Sequence, residues 1–176
     1  MKVMKFGGTS VGKPERMHQI VSLVTKEAEP VIVVLSALSG TTNALVSIGD
    51  YIAKGDRNGA KQAIDTLEAH YQSFIADLLK KPDTLSKAKG ILAEHFEFLN
   101  IILKISFSEA LSKDILAQGE LLSTKLFSTY LEEQGIDHAL LPALEFMTID
   151  SYDEPQIGSI KIRLGQLLQQ HKEKKF

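Results

Sequence analysis

Apolar positions divide this chain into two short, nearly continuous runs near its start and a long series of helical stripes after them. Val3 to Phe6 is brief and mostly apolar and runs into Gly7-Gly8, the pattern of a buried strand that ends in a tight turn. Behind Pro14, residues Met17, Ile20, Val21 and Val24 recur at helical spacing. Proline suits a first helical turn, where its missing N–H costs nothing. "PVIVVLSA", Pro30 to Ala37, is β-branched without alternation, which predicts a strand buried on both faces, as in a parallel sheet. Strand, glycine turn, helix and buried strand in this order make a βαβ unit.

The middle of the chain is helical by pattern. "SGTTN", Ser39 to Asn43, is a turn with helix-capping residues, followed by a helix over Ala44 to Ala53. Ala60, Ala63, Ile64, Leu67, Tyr71, Phe74, Ile75 and Leu78 form one apolar stripe, and "KKPDT" breaks it at Pro82. Ser86 to Ile105 and Glu109 to Gln134 carry two further helical patterns. Gly119 inside the second costs ~1 kcal/mol relative to alanine and is expected to mark a helix junction. "DHALLPA" after Gly135 reads as a strand, Glu145 to Asp153 as irregular, and Ile157, Ile160, Leu164, Leu167 and Leu168 as a last helix whose stripe needs a sheet to cover. The next element of an α/β fold should then be a strand. The chain instead closes on "KEKKF", so it is expected to be a fragment cut where that strand begins.

Composition narrows the function classes. A length of 176 residues suffices for one domain with a real core, and 44% hydrophobic content is ordinary for a soluble protein. The net charge of -2 gives no global pull on nucleic acid or acidic membranes, so any anion site must be local. The absence of cysteine excludes disulfides, thiolate metal sites and a cysteine nucleophile. "MKVMKFGG" is no signal peptide, and no apolar run approaches the ~20 residues of a membrane span. A cytoplasmic protein without nucleic-acid or membrane partners is expected.

Chemistry enters with "KFGGTSVGKP", Lys5 to Pro14. Gly7, Gly12 and Lys13 have P-loop spacing, but Pro14 stands where that motif needs a hydroxyl for Mg2+. A glycine loop between strand and helix can also hold phosphate by backbone N–H groups. Gly7 and Gly8 permit close approach, and Thr9 and Ser10 add donors. Lys5, at the strand end, and Lys13 compete as the neutralising cation. Pro14 and the oddity of a lysine in an apolar strand favour Lys5, which would point into the crevice where α/β sheets bind ligands. The second strand ends in "SALSGTTN", so Ser36, Thr41 and Thr42 reach the same edge as anion donors, unless the threonines only cap the next helix. "AQGELLSTKL" offers Glu120, either a solvated carboxylate at a helix start or a partner for a substrate ammonium. The five histidines are scattered and read as structural or solvated.

Taken together, these stretches resemble one family. "KFGGTSVG" is similar to the N-terminal signature of aspartokinases within the amino acid kinase family, "VVLSALSGTTN" to the family's second-strand loop, and "GELLST" to its Gly-Glu-x-x-Ser element, in matching order along essentially the whole chain. The resemblance implies a three-layer αβα sandwich with a mainly parallel sheet, incomplete here and with a helix-rich middle. It implies transfer of phosphate from ATP, with Mg2+, to the side-chain carboxylate of L-aspartate. Carried over by motif, Lys5 would contact the transferred phosphoryl group, Phe6, Gly7, Gly8, Thr9 and Ser10 would serve the ATP phosphates with Ser36 near the γ-phosphate, and Thr42, Glu120 and Ser123 would hold aspartate. The family's later glycine-rich segment, its adenine-binding half and its ACT regulatory domains have no counterpart here. Residues 1–176 are therefore expected to be the N-terminal part of the kinase domain, inactive alone, from a homo-oligomeric enzyme. Three other readings remain: another member of the amino acid kinase family, a degenerate P-loop NTPase that uses Lys13, and a non-enzymatic fragment whose helices bind a partner.

Overall fold

The computed structural model describes residues 1–105 and 108–176. Strand β1 (Lys2–Phe6) pairs in parallel with β2 (Val31–Leu35), in register from Lys2 opposite Val31 to Phe6 opposite Leu35. Between them lie a single helical turn, α1 (Gly8–Val11), and the crossover helix α2 (Pro14–Val24), which begins on Pro14 as expected. Side chains alternate across the pair. Met4, Phe6, Val31, Val33 and Leu35 join the core, while Val3 is 66% exposed and Val34 42%. The expectation that β2 is buried on both faces is thus corrected: the described helices cover one face, and Lys5 shares the open face with Val3 and Val34.

Four long helices build the bulk of the core: α3 (Thr41–Ala53), α4 (Arg57–Leu78), α5 (Pro82–Ile102) and α6 (Glu109–Glu133). Each packs on the next, and α6 returns to α3, which closes the ring; α2 leans on α4, and α6 on β2. Their ends follow local chemistry. The Asp56 side chain accepts from the Gly59 N–H at 2.8 Å to start α4, and the Ser108 hydroxyl oxygen accepts from the Leu111 N–H at 3.2 Å to start α6. Pro82 occupies the first turn of α5, which therefore starts four residues before the expected Ser86. The apolar stripe read on α4 is buried from Ala60 to Leu78, with Ala63 half-buried.

Three further expectations change. Gly119 is no junction, since α6 runs unbroken through it. Asp137 to Ala143 forms no regular strand; its Ala139 N–H donates to the Phe176 carbonyl at 2.8 Å, and Lys175 accepts from Val31 N–H at 2.8 Å. A strand needs a ladder, and among the described residues this stretch makes one backbone bond to a distant partner. Helix α8 (Ile157–Gln170) forms where expected, behind the short α7 (Ala143–Phe146), but its stripe is not covered: none of its residues is buried, and Ile157 is among its exposed ones.

Candidate active site

The C-terminal ends of β1 and β2 are tied together where the Ser36 N–H donates to the Phe6 carbonyl at 3.1 Å. Beyond that bond the chain from Ser36 to Ser39 becomes a hub for all three sequence motifs. From one side comes the glycine loop. A Cβ on Gly8 would lie 2.9 Å from the Ala37 carbonyl oxygen, and one on Gly12 only 2.6 Å from the Ser39 Cβ. Gly12 is therefore required for packing against the neighbouring loop, not for enclosing phosphate. The loop itself is one turn of helix that opens at extended Gly7, whose carbonyl accepts from the Ser10 and Val11 N–H groups. A helix start leaves the Gly8 and Thr9 N–H groups without intrahelical acceptors. Arg16 donates to the Thr9 carbonyl and pins this turn to α2; no sequence pattern singled it out.

From the other side comes α6. Gly119 faces the hub so closely that a Cβ there would sit 2.7 Å from the Ala37 Cβ and 3.2 Å from the Thr41 Cγ2. The next residue, Glu120, accepts from the Ala37 N–H through Oε1 at 3.2 Å. One turn on, the Ser123 hydroxyl donates to the Ser36 carbonyl at 2.8 Å. Glu120 thus lies in mid-helix, not at a helix start, and its exposed carboxylate faces the strand edge. Ser123 is fully buried and spends its hydroxyl on Ser36 and Glu120 carbonyls, which places it behind the site as a tie between α6 and β2.

The two threonines separate cleanly. Gly40, at φ 85, opens α3 in the left-handed region that an L-residue rarely adopts, and neither threonine side chain caps the helix. Thr41 is buried, and its Oγ1 meets the Tyr71 phenol at 3.0 Å, so it cannot serve a ligand. Burial holds that phenol above the ordinary tyrosine range, with the Glu120 carboxylate adding to the rise, so Tyr71 stays neutral beneath the loop. Thr42 lies exposed in the first turn of α3, with its side chain unpartnered among the described residues.

Two lysines are set apart by the fold. Lys5 leaves the strand end on the open face, its Nζ 3.8 Å from where a Gly7 Cβ would be, with no ion pair among the described residues. Lys13 is the exposed N-cap of α2, on the far side of Gly12. The α-helical turn at Gly8–Val11 is not the wide anion loop that P-loop chemistry requires. The strand edge is an open crevice; a shallow, solvent-open groove of about 550 Å³ lies beside it, between α3 and α4, along Ser39, Thr41, Tyr51 and His70. Among the described residues no three acidic or imidazole side chains cluster to hold a metal, so none is assigned to Mg2+. Among them, too, no helix is long and apolar enough to cross a membrane.

The fold has known relatives. The profile of the amino acid kinase family matches residues 1–173. The chain is 33% identical to lysine-sensitive aspartokinase 3 of Escherichia coli over 161 residues, covering 90% of this chain and 35% of that protein. It is 36% identical to the chloroplastic aspartokinase 3 of Arabidopsis thaliana, covering 86% of this chain and 27% of the relative. The crystal structure of E. coli aspartokinase III in complex with aspartate and ADP superposes with a TM-score of 0.80 at 27% identity, over 99% of this chain and 39% of that one. The chain therefore spans between 27% and 39% of the length of these relatives, and its short parallel sheet and helical ring are an incomplete form of their sandwich. With a match that runs from its first strand to its last helix, the chain belongs to the amino acid kinase family.

Proposed function

We propose that this chain is the aspartate-binding, N-terminal portion of the catalytic domain of an aspartate kinase, which converts ATP and L-aspartate to ADP and 4-phospho-L-aspartate. The observation that carries the proposal is the convergence on Ser36–Ser39: the glycine loop under Lys5 and the Glu120 helix are both packed onto one strand edge. The likeness to aspartokinases, one of them seen with aspartate and ADP, supports it.

The chemistry needs no general base. The nucleophile is the side-chain carboxylate of aspartate, ionised at neutral pH. One carboxylate oxygen bonds to the γ-phosphorus as the bond to the ADP oxygen breaks, and the electron pair leaves with ADP. The obstacle is the meeting of anions, so catalysis rests on alignment and on positive charge about the transferring group. Lys5 supplies that charge. The loop Phe6 to Ser10 offers N–H and hydroxyl donors to the ATP phosphates, and Ser36, the residue directly after β2, would lie near the γ-phosphate. Glu120 has one oxygen fixed by Ala37 and turns the other to the substrate ammonium, with Thr42 at the far side. Ser123 sets the position of Glu120 rather than touching substrate. Mg2+ would travel with the nucleotide. The nucleotide-binding half and ACT domains would lie beyond this portion, which is expected to be inactive alone. The enzyme is placed in the cytoplasm as a homo-oligomer at the head of lysine, threonine and methionine synthesis.

The test compares two lysines in the complete enzyme. Lys5→Met should lower kcat by several orders of magnitude, at or beyond the ~10²–10³-fold by which single charge-stabilising donors act. Lys13→Met should leave kcat within a few fold. The reverse result would restore the P-loop reading.

A further inference from the structure

His95 is a buried titratable group that the reaction above does not use. Its ring lies between α5 and α6, where Nδ1 meets the Gln118 Oε1 at 2.6 Å and Nε2 meets the Lys125 Nζ at 2.9 Å. An ammonium has only protons to offer. Nε2 must therefore be the accepting nitrogen, Nδ1 carries the proton given to Gln118, and the ring is neutral. Gln118 is fixed in turn, since its Nε2 donates to the Asp114 carbonyl at 3.0 Å. The charged groups that act on the ring are Lys125 from α6 and Glu94 from its own helix, and these two pair with each other at 3.5 Å.

Gln118 and Lys125 stand two turns apart on one face of α6. The stretch between them carries Gly119, Glu120 and Ser123, whose contacts with Ala37 and Ser36 form the wall of the candidate site. One imidazole thus grips the rear of the helix segment whose front is the wall. We propose that neutral His95 is a positioning residue for Glu120, and that its protonation loosens the seat of α6 on the end of β2. The step is a single proton gain. Nε2 loses its lone pair to a proton, an imidazolium then faces the Lys125 ammonium, and that contact must open while the bond to Gln118 persists. The grip passes from two turns of α6 to one.

The proposal concerns where Glu120 sits, and its bearing on aspartate binding rests on the function proposed above. The experiment is a pH titration of the isotopically labelled chain by NMR, following the His95 ring and the Ala37 amide, which donates to Glu120. In the wild type, the Ala37 amide should show an inflection at the midpoint of the His95 ring. Lys125→Met removes the opposing ammonium and should move both midpoints upward together. His95→Gln should remove that inflection from Ala37. An Ala37 amide that stays flat through the ring's titration would overturn the proposal, as would an inflection unmoved in Lys125→Met or surviving in His95→Gln. The Ala37 amide reports on Glu120 whatever Glu120 binds, so this result is separate from the identity of the substrate.

Discussion

A methyl group at position 119 would have to share space with the Cβ of Ala37 at 2.7 Å. Overpacking of this kind costs ~1–3 kcal/mol, against the ~1 kcal/mol that alanine offers over glycine inside a helix. Gly119→Ala should therefore lower stability, because the wall that carries Glu120 is pushed off the strand edge. Gly90 is the control: it also lies within a long helix, α5, but a Cβ there meets nothing within 4 Å. Gly90→Ala should raise stability by ~0.5–1 kcal/mol, and denaturant unfolding of both variants reads the contrast. The two glycines are indistinguishable in sequence pattern. Gly119 reads as a junction because a single sequence cannot tell a glycine kept for its backbone from one kept for its lack of bulk. Ala37 illustrates a deeper limit, for what it contributes is a main-chain N–H, and no side chain advertises it. By contrast Lys5 stands out in sequence as a lysine in an apolar strand, whereas Glu120, unremarkable by itself, is singled out only by the family resemblance.

At the scale of elements, helices were the legible part. Proline at the first turn of α2 and α5 and the apolar stripe of α4 are local signals, and they fix start and face. The stretch Asp137 to Ala143 has strand character in sequence but no ladder in the fold, because pairing is decided by a distant partner. One inter-helix tie also escaped the pattern. Glu133, at the end of α6 and 5% exposed, accepts from the Lys80 and Lys81 N–H groups and the Thr84 hydroxyl, and so caps the start of α5. Burial alone would push this carboxyl up, but the hydrogen bonds from Thr84, Lys81 and Lys80 outweigh it and hold it below the usual range. Glu133→Ala strands these donors and should cost ~2–3 kcal/mol, measured by denaturant unfolding, without changing the contacts of Glu120.

For the whole molecule, these two buried ionisable groups shape the response to acid. His95 is held below the ordinary histidine value of 6.5, by burial first and by Lys125. Its contribution is complete above that value. As pH falls below it the unfolded chain takes up the proton first, so stability drops toward the folded midpoint. Glu133 adds a second step of the same sign, complete above 4.5 and lost as pH falls through its lower folded value. Denaturant midpoints should therefore decline in two stages on acidification, and His95→Gln should abolish the upper stage alone.

The hub at Ser36–Ser39 has a consequence for the order of events in folding. Its bonds to α6 join residues 83 and 87 positions apart, from Ala37 to Glu120 and from Ser36 to Ser123. Helices α3 to α6 can form and pair with near neighbours at small entropic expense, whereas closing so long a loop rewards the chain only once the ring between is in place. The crevice is then among the last features to appear as the chain folds, and no short segment can assemble it alone.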